Sequence, residues 1–587
     1  MPGVLRDVVA TFTHEGAVAF DLSQTDPLTH LTFTQGAALF GDSFYATQVE
    51  ALRAYAAALL AAERHERGFG WKFATYMRDP VEGKGNRIQG SLAPAILAAA
   101  DPEGPFTEEY TFRGLRHRAD DAVLFVTHFQ NLGLGEVPEA ARKGLARALA
   151  QFDEYQLLKY ARRQFPLARR RPNGKHASLR LVDVMGLAKA HLDARTLKLY
   201  RYLHAPTRAR EGLTQGLALL EGRRAFFQGD ASVENFVKGR LSTEQALSFM
   251  GSTQETWRRV LDVPGLLPDL AFKGYVRAMY LAGIPVATLV EMARKRRFAG
   301  LWPHQVYMGW SAAHAGSNRP GYRAEPAPAI EPVFEAILER VCEGLLPEGG
   351  SLGIADISGS MFGASLGGTQ SQATVGDAAV TLAAVMAREL GYAATFSDDI
   401  FVEDRKRGQG VFDLAHALRG GPGWGSTQVA GSVVSLIQLL LAEPSRPRPR
   451  TLYFFSDMQF HPPEFQSLGD TRGEAADRKA ALLRELGVDL DAGTPPLLAA
   501  LDAWHRALGP VDVVLWNLAA HDNAPLPSKL PHVLMLAGFD ANSFRHVAAW
   551  QAAGSPVTPE RPSPGVTPSD AGGGRNPDAE LDFIRTF

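Results

Sequence analysis

Apolar residues recur at helical spacing along the first half of the chain. From about residue 48 to residue 320, amphipathic stretches are separated by Gly, Pro or Asp, and few stretches alternate with the period of a strand. The clearest predicted helices are Ala51–Arg67, Asp120–Leu132, Glu139–Ala150, Val182–His191, Thr196–Leu203, Thr243–Met250 and Gly274–Leu281. Helices at this density predict an α-solenoid or an irregular helical array.

The pattern changes after Gly349, where buried apolar runs begin to alternate with helices. The predicted strands are Leu352–Ala355, Tyr392–Phe396, Thr451–Phe455, Val511–Trp516 and His532–Leu536, and helices such as Val375–Glu389 and Val429–Leu441 lie between them. Continuous apolar strands separated by helices are typical of a parallel sheet that is covered on both faces. The sequence therefore predicts an α-helical half followed by a doubly wound α/β half.

Length and composition suggest where the domains begin and end. A chain of 587 residues is too long for one ordinary core. We predict a helical domain over residues 1–325, a linker and connecting helix over 326–350, and an α/β domain over 351–552. Residues 553–578 are rich in Pro, Gly and Ser, which predicts a flexible segment, and residues 579–587 are expected to form a C-terminal helix.

The net charge of −2 conceals an uneven distribution along the chain. Of the 61 basic and 63 acidic residues, residues 1–330 hold 42 and 32, which leaves 19 and 31 for the remainder. Residues 151–210 alone hold 14 basic and 4 acidic residues. A positive field concentrated in this way favours a polyanionic partner, although a run of charge is also compatible with a solvated helix face.

Several classes of protein are disfavoured by what the sequence lacks. The first residues do not have the basic and then apolar pattern of a signal peptide, and no apolar run is long enough to span a bilayer. We therefore expect a cytoplasmic protein with no membrane partner. The single cysteine, Cys342, excludes an internal disulfide and a cysteine zinc cluster. H-E-x-x-H does not occur, and we expect no enzymatic activity.

A candidate metal loop follows the first predicted strand of the α/β half. Asp356, Ser358 and Ser360 form a D-x-S-x-S pattern, which can present a carboxylate and two hydroxyls on one side of an extended turn. The carboxyl ends of strands are where open α/β sheets bind ligands. Hard cations such as Mg²⁺ prefer oxygen ligands of this kind. A strand-to-helix turn with side-chain caps is the alternative interpretation of the same residues.

Two further strand ends supply oxygen atoms that would complete such a site. Thr427 precedes a predicted helix, and Asp457 follows the strand Thr451–Phe455. Together the three loops resemble the metal-ion-dependent adhesion site of von Willebrand factor A (vWA) domains. That resemblance implies a divalent metal ion, most simply Mg²⁺, with one coordination position left for a carboxylate from a partner.

The helical half carries a second resemblance, to the TROVE module of the Ro autoantigen family. The segments concerned are Phe12-Thr-His-Glu-Gly-Ala-Val-Ala-Phe, Leu28–Leu31, Gly41-Asp-Ser-Phe-Tyr, Tyr160-Ala-Arg-Arg, Lys175-His-Ala-Ser-Leu-Arg-Leu and Leu301-Trp-Pro-His-Gln-Val-Tyr-Met. That family joins a ring of HEAT-like helices to a vWA domain. A group of uncharacterised vWA proteins is also similar, in Arg78-Asp79, Gly83-Lys-Gly-Asn-Arg87 and Phe455-Ser-Asp-Met-Gln-Phe460.

The Ro resemblance implies a ribonucleoprotein component that binds small structured non-coding RNA, similar to Y RNA, and single-stranded RNA 3′ ends. Such a protein would act in RNA quality control or the stress response, and an exoribonuclease or another protein would engage its metal site. The candidate RNA-binding residues are Tyr160, Arg162, Arg163, Arg169, Arg170, Arg171, Lys175, His176 and Arg180, with Lys84 and Arg87 on a second basic turn. Arginine forks onto phosphate oxygens, and an aromatic ring can stack on an unpaired base.

Two other functions are compatible with the same sequence. A helical array can also grip a peptide or a protein subunit, so a metal-dependent protein-binding adaptor without RNA is the first alternative. A metal-dependent hydrolase is the second, and it is disfavoured because the oxygen ligands include no evident general base.

Overall fold

The structure is a computed structural model. The chain divides into two compact units. The described residues are 10–13, 18–24, 26–34, 36, 48–161, 163–170, 176–205, 210, 213, 217–228, 233–262, 267–298, 301–314, 327–343, 350–363, 366, 373–421, 425–461, 473–488, 495–519, 521, 523–526, 530, 532–538, 542–553 and 579–587. The helical unit comprises Leu59–Ile284 and Ile584–Phe587. The α/β unit comprises Met1–Ala58 and Pro285–Phe583. The domain bounds given above remain predictions, and the flexible segment predicted at 553–578 lies, from residue 554 onward, outside the described residues.

Helices account for most of the chain before residue 285. Strands β1 (Ala10–Phe12) and β2 (Val18–Asp21) and the helical turn α1 (Pro27–Thr29) come first. The helices that follow are α2 (Gln48–His65), α3 (Phe69–Arg78), α4 (Arg87–Ala100), α5 (Thr107–Leu115), α6 (Asp121–Leu132), α7 (Glu139–Gln151), α8 (Glu154–Tyr160), α9 (Leu181–Leu187), α10 (Ala194–His204), α11 (Ala218–Phe227), α12 (Val233–Lys238), α13 (Thr243–Met250), α14 (Gln254–Asp262) and α15 (Asp269–Leu281).

Several of these helices begin where the sequence supplies a capping side chain. Asn86 accepts hydrogen bonds from the first backbone N–H groups of α4, and Asp153 does the same for α8. Ser242 and Gln245 form a reciprocal capping box, and α13 begins at the predicted residue, Thr243. The buried side chains of α3, α4 and α6 are mostly aromatic or aliphatic, and α3 and α4 are buried on all sides along most of their length.

A β-hairpin interrupts the helices between α8 and α9, where no strand is predicted from the sequence. Strands β3 (Phe165–Arg170) and β4 (His176–Leu179) pair antiparallel, with Phe165 opposite Leu179 and Arg170 opposite His176. The register shifts between Pro166 and Arg170, and Pro166 has no N–H to offer to the ladder. Asn131 on α6 accepts a hydrogen bond of 2.9 Å from the backbone N–H of Ala168, which anchors the hairpin.

The remainder of the chain builds a mixed sheet that is covered by helices. Its strands are β5 (Ser351–Asp356), β6 (Tyr392–Phe396), β7 (Ile400–Asp404), β8 (Thr451–Ser456), β9 (Asp512–Asn517) and β11 (Val533–Ala537). Its helices are α16 (Val286–Lys295), α17 (Pro303–His314), α18 (Ala327–Cys342), α19 (Gly359–Gly363), α20 (Val375–Leu390), α21 (Val411–Arg419), α22 (Val429–Ala442), α23 (Gly473–Glu485), α24 (Pro496–Leu508), α25 (Asn542–Ala553) and α26 (Ala579–Ile584). The short strand β10 (Asn523–Ala524) lies outside this sheet.

The sheet order is β11-β9-β8-β5-β6-β7, and every neighbouring pair is parallel except β6 and β7. The α plus α/β class predicted from the sequence is therefore confirmed, with five parallel strands as predicted. The antiparallel strand β7 was not predicted. It is a short edge strand with partly exposed side chains, so it lacks the continuous apolar run of the buried strands. Strands β1, β2 and β10 form a small second sheet, in which β2 pairs with each of the other two strands.

The single cysteine of the chain is a packing residue in the α/β unit. Cys342 is buried at the end of α18, and burial raises the pKa of its thiol to about 12, so it remains protonated at neutral pH. Among the described residues, no helix is long and apolar enough to cross a membrane.

Close packing of α20 on the central strand depends on one glycine. A Cβ atom placed at Gly353 in β5 would lie 2.6 Å from the Cα atom of Ala383, which is backbone and cannot move aside. Gly274 on α15 is the opposite case, because a Cβ atom there meets nothing within 4 Å.

We expect Gly353→Ala to lower the free energy of unfolding by about 1–3 kcal/mol, since the added methyl group overpacks the interface between helix and sheet. Gly274→Ala is the matched control and should raise it by about 0.5–1 kcal/mol, because alanine favours an exposed helical position. Urea unfolding followed by tryptophan fluorescence measures both. An unchanged midpoint for Gly353→Ala would contradict this packing of helix on sheet.

Candidate metal centre and candidate nucleic-acid interface

Two of the predicted metal ligands lie at the carboxyl ends of neighbouring parallel strands, whereas Thr427, predicted to follow a strand, lies in the loop between helices α21 and α22. Asp356 is the last residue of β5, and Asp457 directly follows β8. These strands pair in register, with Ala355 opposite Phe455. The five predicted ligands, Asp356, Ser358, Ser360, Thr427 and Asp457, are all buried.

The loop after β5 turns sharply and keeps its polar atoms close together. The backbone N–H of Ser358 donates to Oδ1 of Asp356 at 2.9 Å. The hydroxyl oxygens of Ser358 and Ser360 are 3.2 Å apart, so the two alternate positions do bring their side chains to one side. Helix α19 begins within this loop, at Gly359.

The second oxygen of Asp356 is held by Ser456, a residue that was not among the predicted ligands. Its hydroxyl donates to Oδ2 of Asp356 at 2.6 Å, across from the neighbouring strand. Burial raises the pKa of Asp356 to about 6, and the hydrogen bonds from Ser456 and Ser358 oppose that rise. A carboxyl group in this position favours a nearby cation, which would restore its ionised form.

The loop that contains Thr427 is tied to the residues that follow Asp457. The backbone N–H of Thr427 donates to Nδ1 of His461 at 2.8 Å, and the N–H of His461 donates to the carbonyl oxygen of Thr427 at 3.0 Å. Asp457 accepts from the N–H of Gln459 at 3.1 Å. The sequence signal for His461 was its place four residues after Asp457 in the same loop.

The donor set suits a hard cation better than a transition metal. It comprises two carboxylates and three hydroxyls, all of them oxygen ligands of the kind that Mg²⁺ accepts. Across the described part of the chain, no group of three or more His, Cys, Asp or Glu side chains is arranged to hold a metal ion. The five predicted ligands are all buried oxygen donors, which is the ligand type that Mg²⁺ prefers.

In the helical unit, two adjacent carboxylates organise three arginines. Asp121 accepts from Nε of Arg78 at 2.9 Å and from Nε of Arg87 at 3.0 Å. Asp120 accepts from Nε of Arg118 at 3.0 Å and pairs with Nη2 of Arg87 at 2.8 Å. Burial alone would raise the pKa of Asp120, but Arg118 and Arg87 outweigh it and lower that pKa.

Tyr160 lies beside this network, and its surroundings are strongly cationic. Its hydroxyl accepts a hydrogen bond from Nη2 of Arg118 at 2.7 Å. The guanidinium of Arg118 and the ammonium of Lys159 lie 5.6 Å and 5.5 Å from the centre of its ring. The ring is only 5% exposed, which leaves it no open face for stacking on a base in this conformation. Burial raises the pKa of Tyr160, and Arg118, Arg87 and Arg163 oppose the rise.

The hairpin places other predicted residues at the surface. Arg163 is exposed, with its guanidinium 5.3 Å from the centre of the Phe165 ring. His176 is exposed, and its Nδ1 lies 2.8 Å from the carbonyl oxygen of Leu167. Arg180 is exposed and forks onto Asp183 at 2.8 and 3.0 Å. Arg162, Arg171 and Lys175, and the side chains of Arg169 and Arg170, lie outside the described residues.

The second predicted basic turn, from Gly83 to Arg87, is held against the end of α3. The N–H of Lys84 donates to the carbonyl oxygen of Tyr76, and a Cβ atom at Gly83 would collide with that same oxygen at 1.8 Å. The Lys84 side chain is 6% exposed, with its ammonium 5.7 Å from the Tyr76 ring. The Arg87 side chain keeps 33% of its surface exposed, so it is the more accessible of the two cations.

Two residues of the cationic neighbourhood, Arg118 and Lys159, were not selected from the sequence. Lys159 precedes Tyr160, and its position in the last turn of α8, just before the basic residues 162 and 163, was the available signal. Arg118 lies two residues before Asp120, just outside the predicted helix Asp120–Leu132.

Comparison with known proteins adds evidence on the fold. No family model matches the chain, and no curated protein sequence matches it. Among solved structures, the Ro (RSR) protein of Deinococcus radiodurans matches this chain. The similarity has a TM-score of 0.50 and covers 89% of this chain and 100% of the Ro chain, at 15% sequence identity. This chain therefore has a Ro-like fold, as the sequence resemblance implied.

We expect Asp121→Ala to lower the free energy of unfolding by about 3–5 kcal/mol, because the buried Arg78 guanidinium then loses its carboxylate partner. Glu255→Ala removes an exposed pair with Arg259 and is the matched control, with an expected decrease of less than about 0.5 kcal/mol. Denaturant unfolding measures both variants. Equal decreases would mean that the Asp121 network does not stabilise the helical unit.

Proposed function

We propose that the protein is an RNA-binding component of a ribonucleoprotein. The observation that carries this proposal is the group of four cations beside Tyr160. Arg118 donates to the Tyr160 hydroxyl, Lys159 lies 5.5 Å from the centre of its ring, and the charges of Arg87 and Arg163 oppose the rise of its pKa. Lys159 and Arg163 are exposed, and about one third of Arg87 and of Arg118 is exposed. Phosphate groups are the ligands that such a concentration of guanidinium and ammonium groups favours.

The charge balance of this neighbourhood supports an anionic partner. Arg78, Arg87, Arg118, Lys159 and Arg163 face Asp120, Asp121 and Glu244, so positive charge remains in excess. The mutual repulsion is visible at Lys159, whose pKa is lowered by burial first and then by Arg118. A bound phosphate would relieve that repulsion. The adjoining sequence adds Arg162, Arg169, Arg170, Arg171 and Lys175 to the same region.

The Ro-like fold favours RNA among the possible polyanions. By the family resemblance, the partners would be structured non-coding RNA and single-stranded RNA 3′ ends, in quality control or the stress response. Because Tyr160 is buried, recognition would depend on phosphates and on the exposed hairpin residues Arg163 and His176 more than on stacking at Tyr160.

For the α/β unit we propose a bound divalent cation, most simply Mg²⁺, held by Asp356, Ser358, Ser360, Thr427 and Asp457. The ion would supply an open coordination position for a carboxylate oxygen of a protein partner. This chain's own residues orient the ligands: Ser456 and the Ser358 backbone hold Asp356, and His461 holds the Thr427 loop.

The RNA proposal is tested by reversing the two most exposed cations together. We expect Lys159→Glu with Arg163→Glu to weaken binding of a 20-nucleotide single-stranded RNA by about tenfold or more at 0.15 M salt. The slope of log affinity against log salt should also fall by about 0.7 for each phosphate of the single strand that the variant no longer neutralises. Fluorescence anisotropy over a salt series measures both quantities.

Arg258→Glu is the control for that experiment, because Arg258 is an exposed cation on α14, a different helix of the same unit. It should retain most of the affinity. Full retention of RNA by the double variant would contradict the proposal and favour the protein-binding adaptor. A purified protein without copurifying RNA, shown by its ratio of absorbance at 260 and 280 nm, would point the same way.

The metal proposal is tested by titrating the full chain with Mg²⁺ in a calorimeter. Asp356→Ala should abolish Mg²⁺ uptake, since it removes one of the two proposed carboxylate ligands, and the far-ultraviolet circular dichroism should remain near that of the wild type. Asp413→Ala, an exposed carboxylate on α21, is the control and should bind normally. Unchanged uptake by Asp356→Ala would rule out the proposed ligands.

A further inference from the structure

The last four residues of the chain, Ile584–Phe587, belong to the helical unit although they are far from it in sequence. They contact Glu66, which follows α2, Lys72 and Tyr76 on α3, and Arg113 on α5. We name these four side chains the tail site. These contacts join residues that are more than four hundred positions apart in the sequence. They involve a carboxylate, an ammonium, a guanidinium and an aromatic ring of the helical unit.

One side chain of the tail is recognised by charge. The guanidinium of Arg585 forks onto the Glu66 carboxylate, with Nη2 at 2.9 Å and Nε at 3.1 Å from Oε2. Two contacts of this kind fix the orientation of the guanidinium as well as its position. A lysine at the same place would make one contact at most.

The backbone of the tail is recognised at both ends of a three-residue stretch. The ammonium of Lys72 donates to the carbonyl oxygen of Arg585 at 2.6 Å. Nη1 of Arg113 donates to the main-chain oxygen of Phe587 at 2.6 Å. Arg113 is itself oriented by Glu109 at 2.9 Å and packs over the ring of Tyr110, so it is held in place to receive the tail.

The last contact is aromatic. The ring of Phe587 packs edge to face on Tyr76, with ring centroids 5.5 Å apart and an interplanar angle of 72°. Tyr76 is fully buried and belongs to the rigid core of α3. The tail site therefore distinguishes an arginine, two main-chain oxygens and an aromatic ring in a fixed order.

We propose that the tail site is a peptide-docking site that recognises an arginine two residues before a phenylalanine, and that residues Arg585–Phe587 of this chain are its occupant. The recognition uses side chains on separate helices that are positioned without the tail, by the α3 core and by the pair of Arg113 with Glu109. A peptide with the same sequence therefore binds when the chain's own tail is disabled.

The experiment uses the full chain carrying Arg585→Glu and Phe587→Ala, which disables the tail in place. A fluorescein-labelled peptide with the sequence of residues 579–587 is titrated with this variant and with the wild-type chain, and anisotropy is measured. The variant should bind the peptide at least about tenfold more tightly than the wild type, because the intact tail competes within the same molecule.

A charge exchange tests the recognition of arginine. Adding Glu66→Arg to the tail-disabled chain should weaken its affinity for the wild-type peptide by about fivefold. The same change should strengthen its affinity for a peptide in which Arg585 is replaced by Glu. Glu136→Arg, at an exposed acidic residue elsewhere in the unit, is the matched control and should change neither affinity. The proposal is overturned if the tail-disabled chain does not bind the peptide, or if Glu66→Arg and Glu136→Arg behave alike.

Discussion

The helical unit depends on two adjacent carboxylates that hold three arginines in a small volume. Guanidinium groups placed so close together repel one another, and only buried partners of opposite charge keep them there. Arg87 pairs with both Asp120 and Asp121, and Arg118 pairs with Asp120. About one third of each arginine side chain nevertheless remains exposed. The network therefore fixes cations in advance of any anion, which reduces the entropy that a flexible basic surface would lose on binding.

The α/β unit uses the same principle with the signs reversed. A buried carboxylate, Asp356, is held in one orientation by a backbone N–H and by the hydroxyl of Ser456. Its neighbours are hydroxyls, which do not compensate its negative charge fully. A cation is the simplest group that does, and the strands that present these oxygens are fully buried along their length. In both units, groups that do not touch the proposed ligand determine where the ligand-binding atoms lie.

The fold, and the position of Asp356 and Asp457 at the ends of two neighbouring strands, could be predicted because they depend on local patterns. Helix α13 begins where Ser242 and Gln245 form a capping box, and the buried parallel strands are continuous apolar runs. Strand β7 and the hairpin of β3 and β4 depend on pairing with other segments, so their own residues give only a weak signal. The direction of a side chain is harder still. Tyr160 and Lys84 are both close to basic residues in sequence, but each side chain is buried by contacts with another element of the structure.

The tail site illustrates why some interactions are invisible in a sequence. Its contacts join Glu66 to Arg585 and Arg113 to Phe587, and no periodicity connects residues separated by so much chain. Each contact alone is a surface interaction of modest strength, and exposed ion pairs of this kind contribute about 1 kcal/mol or less. Specificity arises because the charged, backbone and aromatic contacts must be made together by three consecutive residues. A tail that lacks any one of these groups keeps the others, so recognition should weaken in steps that follow the order of the contacts along the chain.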